Sequence, residues 1–480
     1  MASGMDTDAM VQDLVKAYKA KGDKNTKNLK RAELKQDKWK DLNKKIKSFT
    51  NKYVANMKFS SYYSSKKTTV SDSTKASIVA ADGAVTGTQE LEVGKLAKTA
   101  YLTGGELGDN VTSSTSLKSI VGDSFTGGTI KVNNQDINVG ENWTVGNFVS
   151  ALKEAGLNAS FDENNHRLFI SAKSSGDKGN FSFDGGEDIV NALKISDSTR
   201  ESYVPGSNAQ ITLNGATFTS SSNTFNINGL TITAKAETNG EKLSINTDTD
   251  YDAIYDKVKS FIKDYSSLIN ELTELYNAPA NKGYDPLTDD EKEALSDSEI
   301  KKWEDKVNES LLRRDSNLGS LSSILKESML QTFDIDGKTY SLSSFGINTS
   351  NYFTVDANER NAYHIDGDPD DSESSGNEDK LKAAIAANPE AVSAFFTKLA
   401  SNMYDKLDAF TRTSETRSYG SYYDDKQMKT DISRFEKKVS DWDDYVKSIE
   451  DRYYKQFSKM ESAMTKLNSQ QSYISSMFGG

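Results

Sequence analysis

The last stretch of the chain, residues 424–480, constrains the fold most, because its apolar residues recur with one narrow period. They are Met428, Ile432, Phe435, Val439, Trp442, Val446, Ile449, Tyr453, Phe457, Met460, Met464 and Leu467, and the steps between them run 4, 3, 4, 3, 4, 3, 4, 4, 3, 4, 3. This is a heptad seam held for about forty residues, with one stutter where Tyr453 and Phe457 stand four apart. Nearly everything off the seam is charged or polar, so the helix has little to bury against itself and requires a partner. The question of function becomes the question of what covers this stripe.

Two shorter seams lie upstream. Trp39, Leu42, Ile46, Phe49 and Tyr53 step 3, 4, 3, 4, and Ile254, Val258, Phe261, Tyr265, Leu268, Leu272 and Leu275 step 4, 3, 4, 3, 4, 3 before Pro279 closes the pattern. Before the first of them Met5, Ala9, Met10, Leu14 and Tyr18 form a weaker stripe, with Asp6 and Thr7 placed as caps and Asp8 favourable near a helix start. Residues 21–25, containing Gly22, predict a break that splits the N-terminal helix in two.

Between residues 68 and 249 the character changes to short alternating runs rich in Gly, Ser, Thr and Asn, which predict strands and turns. Val145, Phe148, Val149 and Leu152 followed by Gly156 predict a short helix, then a hairpin over residues 157–172; Asn214-Gly215 and Asn228-Gly229 predict tight hairpin turns. Further helices over residues 288–295, 298–312 and 316–329, a strand pair near 333–342 and an acidic loop at 366–379 complete the pattern.

The expected fold class is therefore α+β and multidomain. Residues 1–50 form an N-terminal helical leg and 51–67 the first part of a helical body. Residues 68–249 form β-rich inserted tip domains, 250–425 the second part of the body, and 426–480 a C-terminal coiled-coil leg. Seams at both ends let the termini pair, with Trp39 to Tyr53 supplying one partner for the C-terminal stripe and the β-rich part at the far tip.

Charge is unevenly spread. Residues 16–58 hold 15 Lys or Arg against 4 Asp or Glu, a surplus of 11, so with a net charge of −12 the remainder carries −23. The lysine-rich face reads as a solvated surface, with a specific anionic partner as the alternative, and the acidic remainder argues against that partner being nucleic acid. No apolar run approaches a membrane span, so no membrane insertion is expected, and the start lacks the basic-then-apolar layout of a cleaved secretory signal.

No catalytic constellation emerges. The chain has no cysteine, which excludes disulfides, thiolate metal sites and a Cys nucleophile. His166 and His364, in a predicted strand and a predicted loop, lack companions for a metal set. The acidic loop lacks the ligand order, glycine position and closing Glu of a calcium loop and reads as solvated, with weak calcium binding as the alternative. No phosphate-cradling glycine motif occurs. No enzyme activity, cofactor or metal is expected.

Several stretches, in order, resemble one family. The opening Ser3, Gly4, Met5, Asp6, Thr7 and Asp8, with Val11 and Leu14 behind it, is similar to the start of bacterial flagellar filament capping proteins, the hook-associated protein 2 or FliD family. So are residues 91–97, 211–215, 222–224, 228–232, the run from Leu295 through Trp303 to Asp315, and the ending from Gln456 to Ile474. The resemblance spans essentially the whole chain. It implies a non-enzymatic cap at the outer end of the flagellum: a homo-oligomeric ring, most often of five subunits, that retains flagellin and promotes its folding and insertion at the growing tip. It further implies terminal arms acting as legs, exit through the flagellar export apparatus without a cleaved signal, and a cytosolic export chaperone over the C-terminal arm. The chain departs from many relatives at its first break, with Gly22-Asp23 in place of a nearby proline and lysines crowding residues 24–47.

Two other structural readings share the pattern: a flagellin-like or hook–filament junction protein, and an adhesin for a host surface or mucin carried on a helical stalk.

Overall fold

The computed structural model describes residues 6–133, 135–351 and 353–479. Among them eight helices have eight residues or more: α1 (Thr7–Phe49), α2 (Val145–Glu154), α3 (Tyr251–Asn277), α4 (Asp297–Ser310), α5 (Ser316–Met329), α6 (Lys380–Ala387), α7 (Pro389–Phe410) and α8 (Asp425–Phe478). The chain divides into a helical unit, running up to Tyr63 and again from Tyr251, and a β-rich unit over Ser64–Asp250.

α1 starts at an Asp6 cap, whose carboxylate accepts from the Ala9 amide at 3.0 Å. It then runs unbroken through residues 21–25, so the predicted break is absent. The reason lies in a second pattern. Val11, Val15, Tyr18, Gly22, Asn25, Leu29, Ala32, Gln36 and Trp39 step alternately by 4 and 3, and each is buried or half-buried. Gly22 occupies a seam position, where its missing side chain admits a neighbouring ring. Beyond Phe49 the helix widens into a π turn over Thr50–Val54 before closing at Ala55–Met57. That extra residue turns Tyr53, Val54 and Met57 inward alongside Phe49.

The core of the helical unit is built from Trp39, Leu42, Ile46, Phe49 and Tyr53 against the α3 residues Ile254, Val258, Phe261, Tyr265, Leu268 and Leu272, with Leu275 half-buried beside them. Phe49 stacks on Phe261 at 5.8 Å and Tyr53 meets the same ring edge-on at 5.9 Å. The expectation that Trp39 to Tyr53 would cover the C-terminal seam is thereby corrected: five large side chains on so short a stripe find a wider apolar surface on α3, α5 and α7 than a single helix offers.

Phe333–Ile335 pairs with Lys338–Tyr340, and Ile347–Thr349 with Tyr363–Ile365. His364 therefore stands on a strand, not in a loop, and His166 sits at φ 48° just before a strand rather than within one. The acidic loop is not simply solvated. Asp368 is buried, and the Lys259 ammonium lies 2.6 Å from both Asp368 and Asp370. Burial works to lower the Lys259 pKa, but its bonds to these two carboxylates outweigh that and hold it above the ordinary lysine value. Among the described residues no group of three or more His, Cys, Asp or Glu is arranged to hold a metal ion, and no helix is long and apolar enough to cross a membrane.

In the β-rich unit an antiparallel sheet runs Lys66–Val70, Leu243–Thr249, Gly87–Lys95, Ala209–Leu213, Ala216–Ser220. Its apolar face shares a core with the three-stranded sheet Thr224–Ile227, Leu230–Ala234, Ala76–Ala80, through Leu91, Val93, Ile211, Ile232 and Ile245. Asn214-Gly215 and Asn228-Gly229 hold φ of 50° and 83°, and 46° and 79°, the doubly positive geometry of a two-residue hairpin turn. A second core gathers Phe148 and Leu152 of α2 over the hairpin Leu157–Asp162 and Arg167–Ser175.

Candidate assembly interface

The C-terminal seam is partnered by the first half of α1. α8 lies antiparallel to it: Gln12 donates to Glu450 at 3.1 Å, Tyr18 meets Tyr445 edge-on at 6.4 Å, and the Trp442 indole N–H donates to the Tyr18 carbonyl at 3.0 Å. Val11, Val15 and Val446 form a small core, flanked by Tyr18, Trp442, Tyr453, Tyr454 and Phe457. Trp442 lies against Gly22 so closely that a Cβ there would stand 2.4 Å from its Cδ1.

The stripe expected on α1 was thus one position out of register. Met10 and Leu14 are exposed at 40% and 41%, while Val11 and Val15 are wholly buried. The steps from Val11 to Gly22 contained this signal for a reader who admits glycine as a seam residue. Ser3, Gly4 and Met5 lie outside the described residues; Asp6, Thr7 and Asp8 form the cap and first turn of α1.

At its root α8 is held by a polar hub. Tyr423 stacks on Trp39 at 5.4 Å, and Tyr422 donates its amide to Asn43 at 2.9 Å. Asp424, the residue before α8, accepts from Asn317 at 3.0 Å and Thr416 at 2.9 Å and pairs with Arg417 at 3.0 Å. Burial pushes the Asp424 carboxyl up, but the bonds from Asn317 and Thr416 and the Arg417 charge together hold it below the ordinary value of 3.8.

The lysine-rich face of α1 is not left to solvent alone. Lys27 pairs with Glu291 at 2.5 Å, Arg31 with Asp285 at 2.6 Å, Lys35 with Asp315 at 2.7 Å, Lys45 with Glu271 at 2.6 Å and Lys52 with Asp264 at 3.0 Å. The basic surplus finds much of its counter-charge within the same unit. Asp315 is nearly buried and also caps α5, accepting from Asn317 and Leu318 at 3.0 and 3.2 Å.

Coverage of the α8 seam is incomplete. Val446 and Ile449 are buried; Met428, Ile432, Phe435, Val439, Trp442, Tyr453, Phe457 and Met464 are half-buried; Met460 and Leu467 are exposed. The Gln12–Glu450 bond sets the pairing register, so Asp6, the first described residue of α1, stands level with about residue 456. Past that level Leu467, Tyr473, Ile474 and Met477 are 54–66% exposed. Helical geometry continues there with an apolar stripe and no partner among the described residues.

A family model described as the C-terminus of flagellar hook-associated protein 2 matches residues 206–469, and one described as its N-terminus matches residues 3–100. A flagellar hook-associated protein 2 of Halalkalibacterium halodurans is 27% identical over 289 residues, 54% of this chain and 51% of that protein. One of Thermotoga maritima is 25% identical over 369 residues, 74% of this chain and 55% of that protein. The chain thus aligns over about half the length of these curated relatives. The crystal structure of the D1–D2–D3 domains of the Escherichia coli flagellar cap protein FliD is similar in fold, with a TM-score of 0.53, 18% identity, and coverage of 83% of this chain and 99% of that one.

Proposed function

The chain belongs to the flagellar hook-associated protein 2 family, and from that premise we propose that it caps the distal end of a flagellar filament. Copies of the chain form a ring, five being the number the resemblance implies, that retains flagellin and promotes its folding and polymerisation at the tip. The observation that carries this reading is the α8 seam, which continues past the level of the first described residue of its intrachain partner with exposed apolar side chains. Flagellin and neighbouring copies are the proposed sources of a covering surface at the filament end. Before export, a cytosolic chaperone covering the same stripe keeps it from aggregating, and the export apparatus passes the chain outward without removing a signal. In this reading the leg comprises α8 and the part of α1 before Trp39, while the rest of the helical unit is the body.

The chemistry proposed is helix packing rather than catalysis. Substituting Phe435, Trp442 and Ile449 together by Ser removes three large side chains of the α8 seam, among them the Trp442 indole that lies against Gly22 and bonds to Tyr18 of α1. Loss of filament elongation, with flagellin leaking into the medium while the β-rich unit keeps its strand signature in circular dichroism, is the expected outcome. Filaments of ordinary length from cells carrying the triple variant would refute the reading.

A further inference from the structure

Ala216–Ser220 is the outermost strand of its five-stranded sheet, bonded on one side to Ala209–Leu213. On the other side its backbone pairs with nothing among the described residues, and Ala216, Thr217 and Thr219 are exposed. An open strand edge is a template for another strand unless it is blunted by charge, proline or a covering segment. The opposite edge of the same sheet has such protection: Lys66–Val70 opens with two lysines, and the Thr68 hydroxyl donates to the Ile78 carbonyl at 2.7 Å, tying that edge to the neighbouring sheet. Ser202–Val204, an edge of another sheet, runs straight into Pro205. Ala216–Ser220 carries neither charge nor proline.

We infer that Ala216–Ser220 pairs antiparallel with the same strand of a second copy, about a two-fold axis at Phe218. The occupant follows from the sequence of the strand itself. In that register Phe218 faces Phe218 of the second copy, Thr217 faces Thr219, and Ala216 faces Ser220. Threonine pairs and aromatic pairs across strands are favourable, and no like charges meet. Phe218 is half-buried against the sandwich core, so its pairing continues that core across the axis. The two five-stranded sheets become one of ten strands, with both open edges removed.

This contact is independent of the α8 seam and of the capping reading. A two-fold contact is self-complementary, whereas a ring needs a head-to-tail one. The absence of cysteine from the chain makes a direct test available. In the full-length chain, Thr217→Cys with Thr219→Cys places thiols directly opposite across the axis, within disulfide reach. Either substitution alone leaves its own pair on a diagonal too long to bridge. Under mild oxidation the double variant is expected to give roughly ten times more covalent dimer than either single variant, with peptide mapping locating the bond between position 217 of one copy and 219 of the other. Equal yields from double and single variants, or a covalent adduct that forms only with a third protein, would overturn the inference. As a second arm, Thr217→Lys with Thr219→Lys sets like charges across the axis at exposed positions. It is expected to weaken self-association in sedimentation by about tenfold with an unchanged melting profile. Association equal to that of the parent chain would count against the contact, whatever the filament phenotype.

Discussion

At Gly22 two effects of opposite sign meet. A glycine inside a helix costs about 1 kcal/mol relative to alanine, yet a methyl group here would sit 2.4 Å from the Trp442 ring. Displacing a packed indole costs about 1–3 kcal/mol, so the contact outweighs the propensity. Gly22→Ala is expected to destabilise the arm by about 1–2 kcal/mol in the native background and to become stabilising by up to about 1 kcal/mol once Trp442→Ala removes the obstacle. Denaturant melts of the four chains would measure this change of sign; the same sign in both backgrounds would show that Gly22 is not there for Trp442. Asp424 belongs to the same scale. Its folded carboxyl lies below the ordinary 3.8, so its contribution is complete above that value and is lost as pH falls through the lower, folded one. Asp424→Asn removes the ionic part of the hub, at a cost of about 1–2 kcal/mol at neutral pH given its partial exposure. The difference in melting between parent and variant should shrink on acidification below pH 3.8 and remain flat between pH 5 and 8.

Among the elements, those with a strict period or an unambiguous turn were legible. The α3 helix follows a seam that alternates 4 and 3 and the α8 helix one that does so with a single stutter, and both Asn-Gly hairpins follow from residues that tolerate positive φ. The misreadings have physical causes. Residues 21–25 look like a break because propensity counts each residue alone, whereas a glycine in a heptad position can be the partner of a large ring across the interface. The π turn at Thr50–Val54 has no local signature; it lies beyond both the stretch of α1 that meets α8 and the Trp39–Phe49 stretch that meets α3, and it brings Tyr53 and Val54 into the same core as Phe49. Partner choice was illegible for a similar reason. A heptad stripe specifies that something apolar must cover it, and does not specify which of several stripes in the chain will do so. The acidic loop misled because Lys259, 107 residues upstream of Asp366 and the carboxylates that follow it, supplies its counter-charge from another element.

At the level of the whole molecule, stability must be uneven, because apolar burial is. The helical body holds a continuous core in which Trp39, Tyr53, Phe261, Tyr265, Phe395 and Phe396 are almost fully enclosed. The arm has one buried cluster of three valines. Beyond about residue 457 no large apolar side chain is fully buried among the described residues, and Leu467, Tyr473, Ile474 and Met477 are exposed. An isolated helix of some twenty residues is marginal without a packed face. Amide exchange of the dilute chain should therefore fall into three levels: slowest in the body core and the centres of the two β-rich cores, intermediate over Val11 to Tyr18 and Trp442 to Ile449, and fast beyond Phe457. Adding filament ends should slow exchange selectively past Phe457, since binding surface is what that segment lacks. If the segment were as protected in the dilute chain as α3, it would already have a partner within the chain, and the argument from the uncovered seam to a filament-end contact would fail. If it stayed fast on filament ends while capping persisted, another surface of the protein would be making the contact.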